Sequence, residues 1–350
     1  MNIPTGHNFF KKDNGRKLPV DEKYLVPFLT PAAPGTNFWD PPPPGVKPLR
    51  HRGRCILQVH QILHLFRAFN VELSGKALLD IGTGNGMVPR LLLALSAIEL
   101  AVGADPYLEG EHTAQWPPHD KDALYSDLYS YIQKNMPSTL DYAVYADMVE
   151  HEIFSQIPTP VEWCEQPEKV FLFSKTGAHD LDNIDVGRKF DILYCKAIEH
   201  VHDWPGILRS AAAVSNSGAT LYIKHVPFFG YLGPHRFSTP CIPWGHLLLT
   251  DDEYCRYASE FHSDRAEKMI ESYFEDLTFP RQSVSDLLRE AGKSGWSPAG
   301  VVIDNHPRIS QMMKNSEDVE DFWGNVYQNY PHLGIEEVYA SMYHIFLRRD

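Results

Sequence analysis

The chain of 350 residues reads as a doubly wound α/β protein. Three observations predict that class. Short apolar runs alternate with helical periodicity through most of the length, which is the pattern of a parallel sheet covered on both faces. One of those runs ends in an acid and three closely spaced glycines before an apolar helix begins. Composition also suits a large core, with 43% hydrophobic, 12% aromatic and 22% charged residues.

The first fifty residues hold ten of the 27 prolines, including Pro41-Pro42-Pro43-Pro44, and predict an extended arm over 1–53. Through Arg54 there are nine Lys/Arg against four acids, so the arm carries about +5 and the body about −18 of the net −13. Such an arm is either a solvated tail or one that meets an anionic substrate or closes over the site. Helical spacing begins near Arg54, with Ile56, Val59, Ile62, Leu63 and Phe66 on one face, and Gly75 ends that region. Strands follow at 77–81, 100–104, 170–173, 190–195, 219–225, 299–304 and 339–348. Helices intervene at 86–96, 207–214 and 283–291. Thr250 and Glu253 are spaced as a capping box that opens a long helix, 251–274. Asp203, just before Trp204-Pro205, reads as an N-cap.

Three connections, about 106–168, 227–279 and 305–337, are too long to be simple turns. Each leaves the carboxyl end of a strand, where open α/β sheets place their ligands. They are expected to converge as a cap over one site, within a single domain spanning 54–350. Their aromatic residues, Trp116, Trp244 and Trp323 among them, supply both a core for the cap and surfaces for a flat or sugar-like acceptor.

The longest apolar tract, 87–104, contains Arg90 and Glu99, so no membrane span is expected. No secretory signal is visible, and the five cysteines include no C-x-x-C pair. A cytoplasmic protein with reduced thiols is the expectation. The acidic net charge argues against a general nucleic-acid binder.

The sharpest local signal is Asp80-Ile81-Gly82-Thr83-Gly84-Asn85-Gly86, with Asp105 closing the next strand nineteen residues after Gly86. Glycines let backbone N–H groups approach a ligand, and a strand-end acid suits the two hydroxyls of a ribose. A nicotinamide dinucleotide fits less well. The G-x-G-x-x-G spacing is absent, and Asp80 would repel a pyrophosphate, whereas a sulfonium and an ammonium welcome it.

These residues, together with the run from Phe190 through Cys195-Lys196-Ala197-Ile198-Glu199-His200-Val201-His202-Asp203, resemble the successive motifs of class I S-adenosylmethionine-dependent methyltransferases. Glu199 to Asp203 is similar to the small-molecule and quinone-type branch. The likeness spans roughly 76–105 and 169–226, and more faintly 283–300. It implies a seven-stranded, mostly parallel sheet whose last strand is antiparallel. It also implies that Gly82, Gly84 and Gly86 flank the methionine part of S-adenosyl-L-methionine, with Asp80 beside them. Asp105 would hold the ribose, and Pro106 and Tyr107 would lie beside the adenine. Ala178 and His179 would be at the adenine edge, with Cys195 and Lys196 beneath the sulfonium. No Asp/Asn-Pro-Pro-aromatic motif follows the fourth strand and no Pro-Cys nucleophile is present, so DNA methylation is disfavoured.

Methyl transfer to an unactivated alcohol needs a general base near neutrality, and histidine is the natural residue. His200 is the first candidate and His235 the second; His246 follows, and His225 stands at the end of the fifth strand. The structural alternative for His200 is a histidine that packs against the sheet edge and caps its helix. His200-Val201-His202-Asp203 lacks the strand-end carboxylate set of a metal site, and no catalytic metal is expected. The expected activity is O-methylation of a small molecule or glycan. N-methylation and a catalytically silent scaffold are the alternatives.

Overall fold

The computed structural model of the chain describes residues 9–28, 58–59, 61–84, 86, 88–89, 92–93, 96–106, 170–196, 198–231, 233, 238–263, 265–276, 280–306 and 308–350. A hairpin of β1 (Phe9–Lys11) and β2 (Lys17–Pro19) comes first. The main sheet contains β3 (Ala77–Ile81), β4 (Leu100–Asp105), β5 (Val170–Ser174), β6 (Phe190–Cys195), β7 (Ser215–His225), β8 (Trp296–Asp304) and β9 (Met342–Arg349). Their order is β5-β4-β3-β6-β7-β9-β8. β3 to β7 are mutually parallel, and β9 runs antiparallel to both β7 and β8. The chain reverses direction in sheet order at β3, between β4 and β6, and a crevice opens there outside the carboxyl ends.

The seven expected strands all form, with shifted ends. β7 starts at Ser215, directly after the helix Trp204–Val214, and its first residues pair with β6 across an irregular register. β8 starts at Trp296, whose indole is buried and donates to Leu208 O (3.0 Å). Tyr339 belongs to the helix Ile335–Tyr339, so β9 begins only at Met342. β8 is an edge strand, exposed along most of its length, and accommodates Pro298 for that reason.

Two cores divide the interior. The first packs the sheet face of Leu79, Val102, Leu193, Leu221 and Ile345 against the helices Trp204–Val214 and Val284–Lys293. Asp203 does cap the former, accepting the Gly206 N–H at 2.9 Å. On the opposite face a helix over 61–68 lays Ile62 and Phe66 against the sheet, Phe66 meeting Tyr222 and Phe346 edge-on.

The second core lies among the connections that follow β7 and β8. Phe228, Trp244, Leu247, Tyr254 and Tyr257 pack there with Met312, Phe322 and Val326. Thr250 and Glu253 form the expected capping box, but the expected helix 251–274 is broken. It runs Asp251–Phe261, stops at His262 in a non-helical conformation, and resumes as Ala266–Glu271. The break is held by burial: the His262 ring is inside, within 3.0 Å of the Tyr257 hydroxyl. Trp244 sits at the centre, 4.5 Å from the Tyr231 ring and 5.2 Å from Phe322. Two of the three long connections therefore share one core. Most of the first connection, including Trp116, lies outside the described residues.

The described part of the arm, 9–28, is not a loose tail. Phe10, Leu18, Val20 and Leu25 are buried in the second core. Its cations meet acids of that region: Lys12 with Glu253 (3.6 Å), Arg16 with Asp321 (3.2 Å) and Lys23 with Asp318 (2.9 Å). Lys12 is itself buried and donates to Leu248 O. Among the described residues, three cations of the arm thus meet acids within the chain. Pro41–Pro44 lie outside the described residues.

Candidate active site

β3 and β4 are in register, so Asp80, Ile81 and the following glycines emerge beside Ala104 and Asp105. Gly82 N–H donates to Ala104 O (2.8 Å), and Gly84 N–H donates to Asp105 Oδ2 (2.9 Å). Gly82, Gly84 and Gly86 have φ of 75°, 61° and 72°. That left-handed path at alternate positions is open to glycine and strained for other residues, which explains the spacing read in the sequence. Thr83, between them, donates its hydroxyl to Asp80 Oδ2 at 2.7 Å.

Asp80 is 2% exposed. Burial raises its carboxyl from 3.8 to about 7; Thr83 and the Lys196 ammonium pull it down, while Asp105 pushes it up. A buried carboxyl held near its own titration point is a group that a cation would ionise. An approaching sulfonium or ammonium fits this environment; a phosphate does not.

Asp105 is buried at the end of β4, and Pro106 is exposed immediately after it. Cys195, a buried thiol, ends β6 beside Ile81. Lys196, one residue on, donates to Gln58 Oε1 (3.2 Å). Ala178 packs partly buried on the first core. His179 is exposed, its Nε2 4.0 Å from Asp203 Oδ2 across the loop that follows β5. His200 ends the turn Ile198–His200 after β6 and is exposed. Tyr107 and His235 lie outside the described residues. The crevice between β3, β4 and β6 thus brings together Asp80, Gly82, Gly84, Gly86, Asp105, Cys195 and Lys196. His179 faces the outer side, towards Asp203.

The remaining histidines named above are interior. His246 is buried in the second core with its ring edge-on to Phe228, and burial lowers it to about 3. His225 is 1% exposed and is likewise lowered to about 3 by burial.

Polar residues beyond the sequence reading complete the surroundings. Gln58 Nε2 donates to Tyr194 OH (2.7 Å), and Lys224 Nζ donates to Gln61 Oε1 (2.7 Å). The Tyr222 hydroxyl lies 2.7 Å from His344 Nδ1, whose Nε2 is 3.2 Å from Asp304. The glutamines are three apart and share one side of their helix, beside the apolar face rather than on it, so no signal in the sequence distinguishes them. Tyr222, His344 and Asp304 are joined only by strand register.

A protein-family model described as a methyltransferase domain matches residues 50–227, just over half of the chain. No curated protein matches the sequence significantly. Among solved structures, an S-adenosylmethionine-dependent methyltransferase from Mesorhizobium loti is 12% identical, with 82% of this chain and 96% of that one aligned at a TM-score of 0.39. Magnesium protoporphyrin IX methyltransferase from Synechocystis aligns at 13% identity over 89% and 91% of the two chains, TM-score 0.37. Phosphoethanolamine N-methyltransferase 2 of Haemonchus contortus aligns at 14% over 83% and 52%, TM-score 0.39. Likenesses that distant say nothing about the acceptor, and the assignment rests on the family model and on the residues of the glycine loop. The chain belongs to the methyltransferase-domain family, as a class I enzyme whose methyl donor is S-adenosylmethionine.

Proposed function

We propose that this enzyme methylates a hydroxyl of a small molecule or glycan, with the acceptor enclosed between the strand carboxyl ends and the cap. The observation that carries the donor site is the buried node of Asp80, Thr83, Gly84 and Asp105. In this reading Gly82, Gly84 and Gly86 admit the methionine portion, and Asp80 balances its positive charge. Asp105 exchanges its bond to Gly84 for the ribose hydroxyls. Pro106, Tyr107, Ala178 and His179 border the adenine, and Cys195 and Lys196 line the floor beneath the reacting centre. When bound, S-adenosylmethionine supplies the methyl group and a neutral sulfide leaving group. The protein's tasks are alignment, exclusion of water and removal of the acceptor's proton.

His200 takes that proton in our reading. Its place one turn beyond β6, exposed on the ligand side, supports the role. His235, in the connection after β7, is the alternative base. The cap of 106–168, 227–279 and 305–337, with the arm of 1–53, encloses the acceptor. The shared aromatic core of the two described connections supports that division.

The test is transfer of isotopic methyl from S-adenosylmethionine to a panel of hydroxyl and amine acceptors by purified protein. His200→Ala should lower turnover about 10²- to 10⁴-fold and leave donor affinity nearly unchanged. A drop below about fivefold moves the role to His235, or removes the base altogether. The second outcome is the one an amine acceptor gives, since a neutral nitrogen attacks without prior deprotonation.

A further inference from the structure

His225 is the last residue of β7, and Tyr343 stands opposite it in β9. Directly paired residues of antiparallel strands project from the same face, their Cβ atoms about 5 Å apart. Trp204 lies edge-on to the imidazole at 5.6 Å, and its indole N–H donates to Ile198 O (3.1 Å). That contact ties the pair to the turn that follows β6. Glu337, in the cap helix Ile335–Tyr339, lies close enough for its charge to bear on the Tyr343 phenol. Its carboxylate accepts the N–H groups of Val284 and Ser285, which start the helix Val284–Lys293.

All three side chains are more than nine-tenths buried: His225 is 1%, Tyr343 2% and Glu337 5% exposed. Among the described residues, both ring nitrogens of His225, the Tyr343 hydroxyl and Glu337 Oε2 nevertheless have no hydrogen-bond partner. Buried polar atoms are normally satisfied, and an unmet group costs free energy that an apolar residue would not. His225 and Tyr343 pair across β7 and β9, one strand from β6, Glu337 bears on Tyr343 from the cap helix, and a ligand's polar group placed among them would meet these unsatisfied atoms.

We propose that His225, Tyr343 and Glu337 form the polar end of the acceptor subsite and receive an uncharged hydroxyl of the acceptor. The proposal rests on the reading above, in which the acceptor lies between cap and strand ends. The valences select the group. A hydroxyl donates to Glu337 Oε2 and accepts from Tyr343 or from the N–H of a neutral imidazole. A carboxylate offers only acceptors and faces Glu337, with Glu336 and Asp286 adding negative charge nearby. An ammonium offers only donors and leaves the Tyr343 O–H unmet.

Protein labelled with ¹⁵N-histidine and loaded with S-adenosylhomocysteine is titrated with benzyl alcohol, benzoate and benzylammonium. The His225 ring signals are those lost in His225→Phe, or in His225→Asn should the first variant fail to fold. Benzyl alcohol should shift them saturably, and Tyr343→Phe should weaken its binding by about fivefold or more. The proposal is overturned if benzyl alcohol leaves those signals in place up to its solubility limit, or if either ion moves them as strongly. It is also overturned if Tyr343→Phe binds benzyl alcohol as well as the wild type does. Calorimetry of S-adenosylhomocysteine separates the two layers. Normal binding with silent His225 signals removes the subsite alone, whereas no binding removes the donor site and the subsite with it.

Discussion

Replacing Asp80 by asparagine tests the electrostatics of the donor crevice directly. The carboxyl is 2% exposed and titrates at about 7 in the fold against 3.8 for a free side chain. Because the folded value is the higher one, the native state binds more protons than the unfolded chain between those limits. Stability therefore falls as pH rises through that window, and the deficit is complete above about 7. A shift of this size corresponds to about 4 kcal/mol in all, at about 1.4 kcal/mol per unit. Asparagine keeps the shape and can still accept from Thr83 Oγ1, but it cannot ionise. Denaturant unfolding of the two proteins should give similar stabilities near pH 4. Between about pH 4 and 7 the wild type should lose about 3 kcal/mol relative to the variant. Donor affinity should move the other way. Wild-type affinity should rise with pH to a plateau above about 7, as the carboxylate that balances the donor's cation forms, while Asp80→Asn binds weakly and without that pH dependence. Parallel stability profiles for the two proteins would refute the argument, as would unchanged donor affinity in Asp80→Asn.

Other consequences follow from single contacts. Asp105→Ala should weaken S-adenosylhomocysteine binding in calorimetry by about 1.5–3 kcal/mol, the scale of hydrogen bonds lost to a charged partner. Lys12→Ala leaves Glu253 buried beside an empty place and should cost about 3 kcal/mol in unfolding experiments; pairs at the surface, such as Arg16 with Asp321, should cost under about 1 kcal/mol. At Gly233 an added Cβ would lie 1.7 Å from Phe228 O, a backbone atom that cannot swing aside. Gly233→Ala should therefore lower the melting temperature more than Gly292→Ala, where nothing lies within 4 Å.

Much of the donor crevice was legible in the sequence because its parts are local. An apolar run, an acid, alternating glycines and a second acid all fall within 29 residues, from Ala77 to Asp105. Helix caps at Asp203 and Thr250 were legible for the same reason: each is a contact across three residues. The groups that meet through register were not. Tyr222 and His344 are 122 positions apart, and nothing in either segment announces the other. The orphaned trio of His225, Tyr343 and Glu337 depends on β9 entering beside β7, a placement that alternating hydrophobicity cannot supply. The helix break at His262 was hidden too, since the residues on both sides keep a helical pattern and only burial of the ring ends the first segment. Charge counting registered the basic arm against the acidic body correctly but could not show that the two signs meet within the molecule.

The order of strands carries a kinetic consequence. Among the described residues β8 has one neighbour in the sheet, β9, which also closes against β7. Until residue 349 has left the ribosome, β8 has no strand to pair with, and the apolar edge of β7 stays uncovered. The hairpin near the start of the chain waits as well, because Lys12 and Asp13 bind Leu248 and Glu253, more than 230 positions later. Contacts so far apart in sequence slow folding, since the loops that join them must close first. The glycine loop and its flanking parallel strands can assemble early, while the cap and the antiparallel edge assemble last. The interval between those events is when this protein is most exposed to aggregation, and when a chaperone would have the most surface to hold.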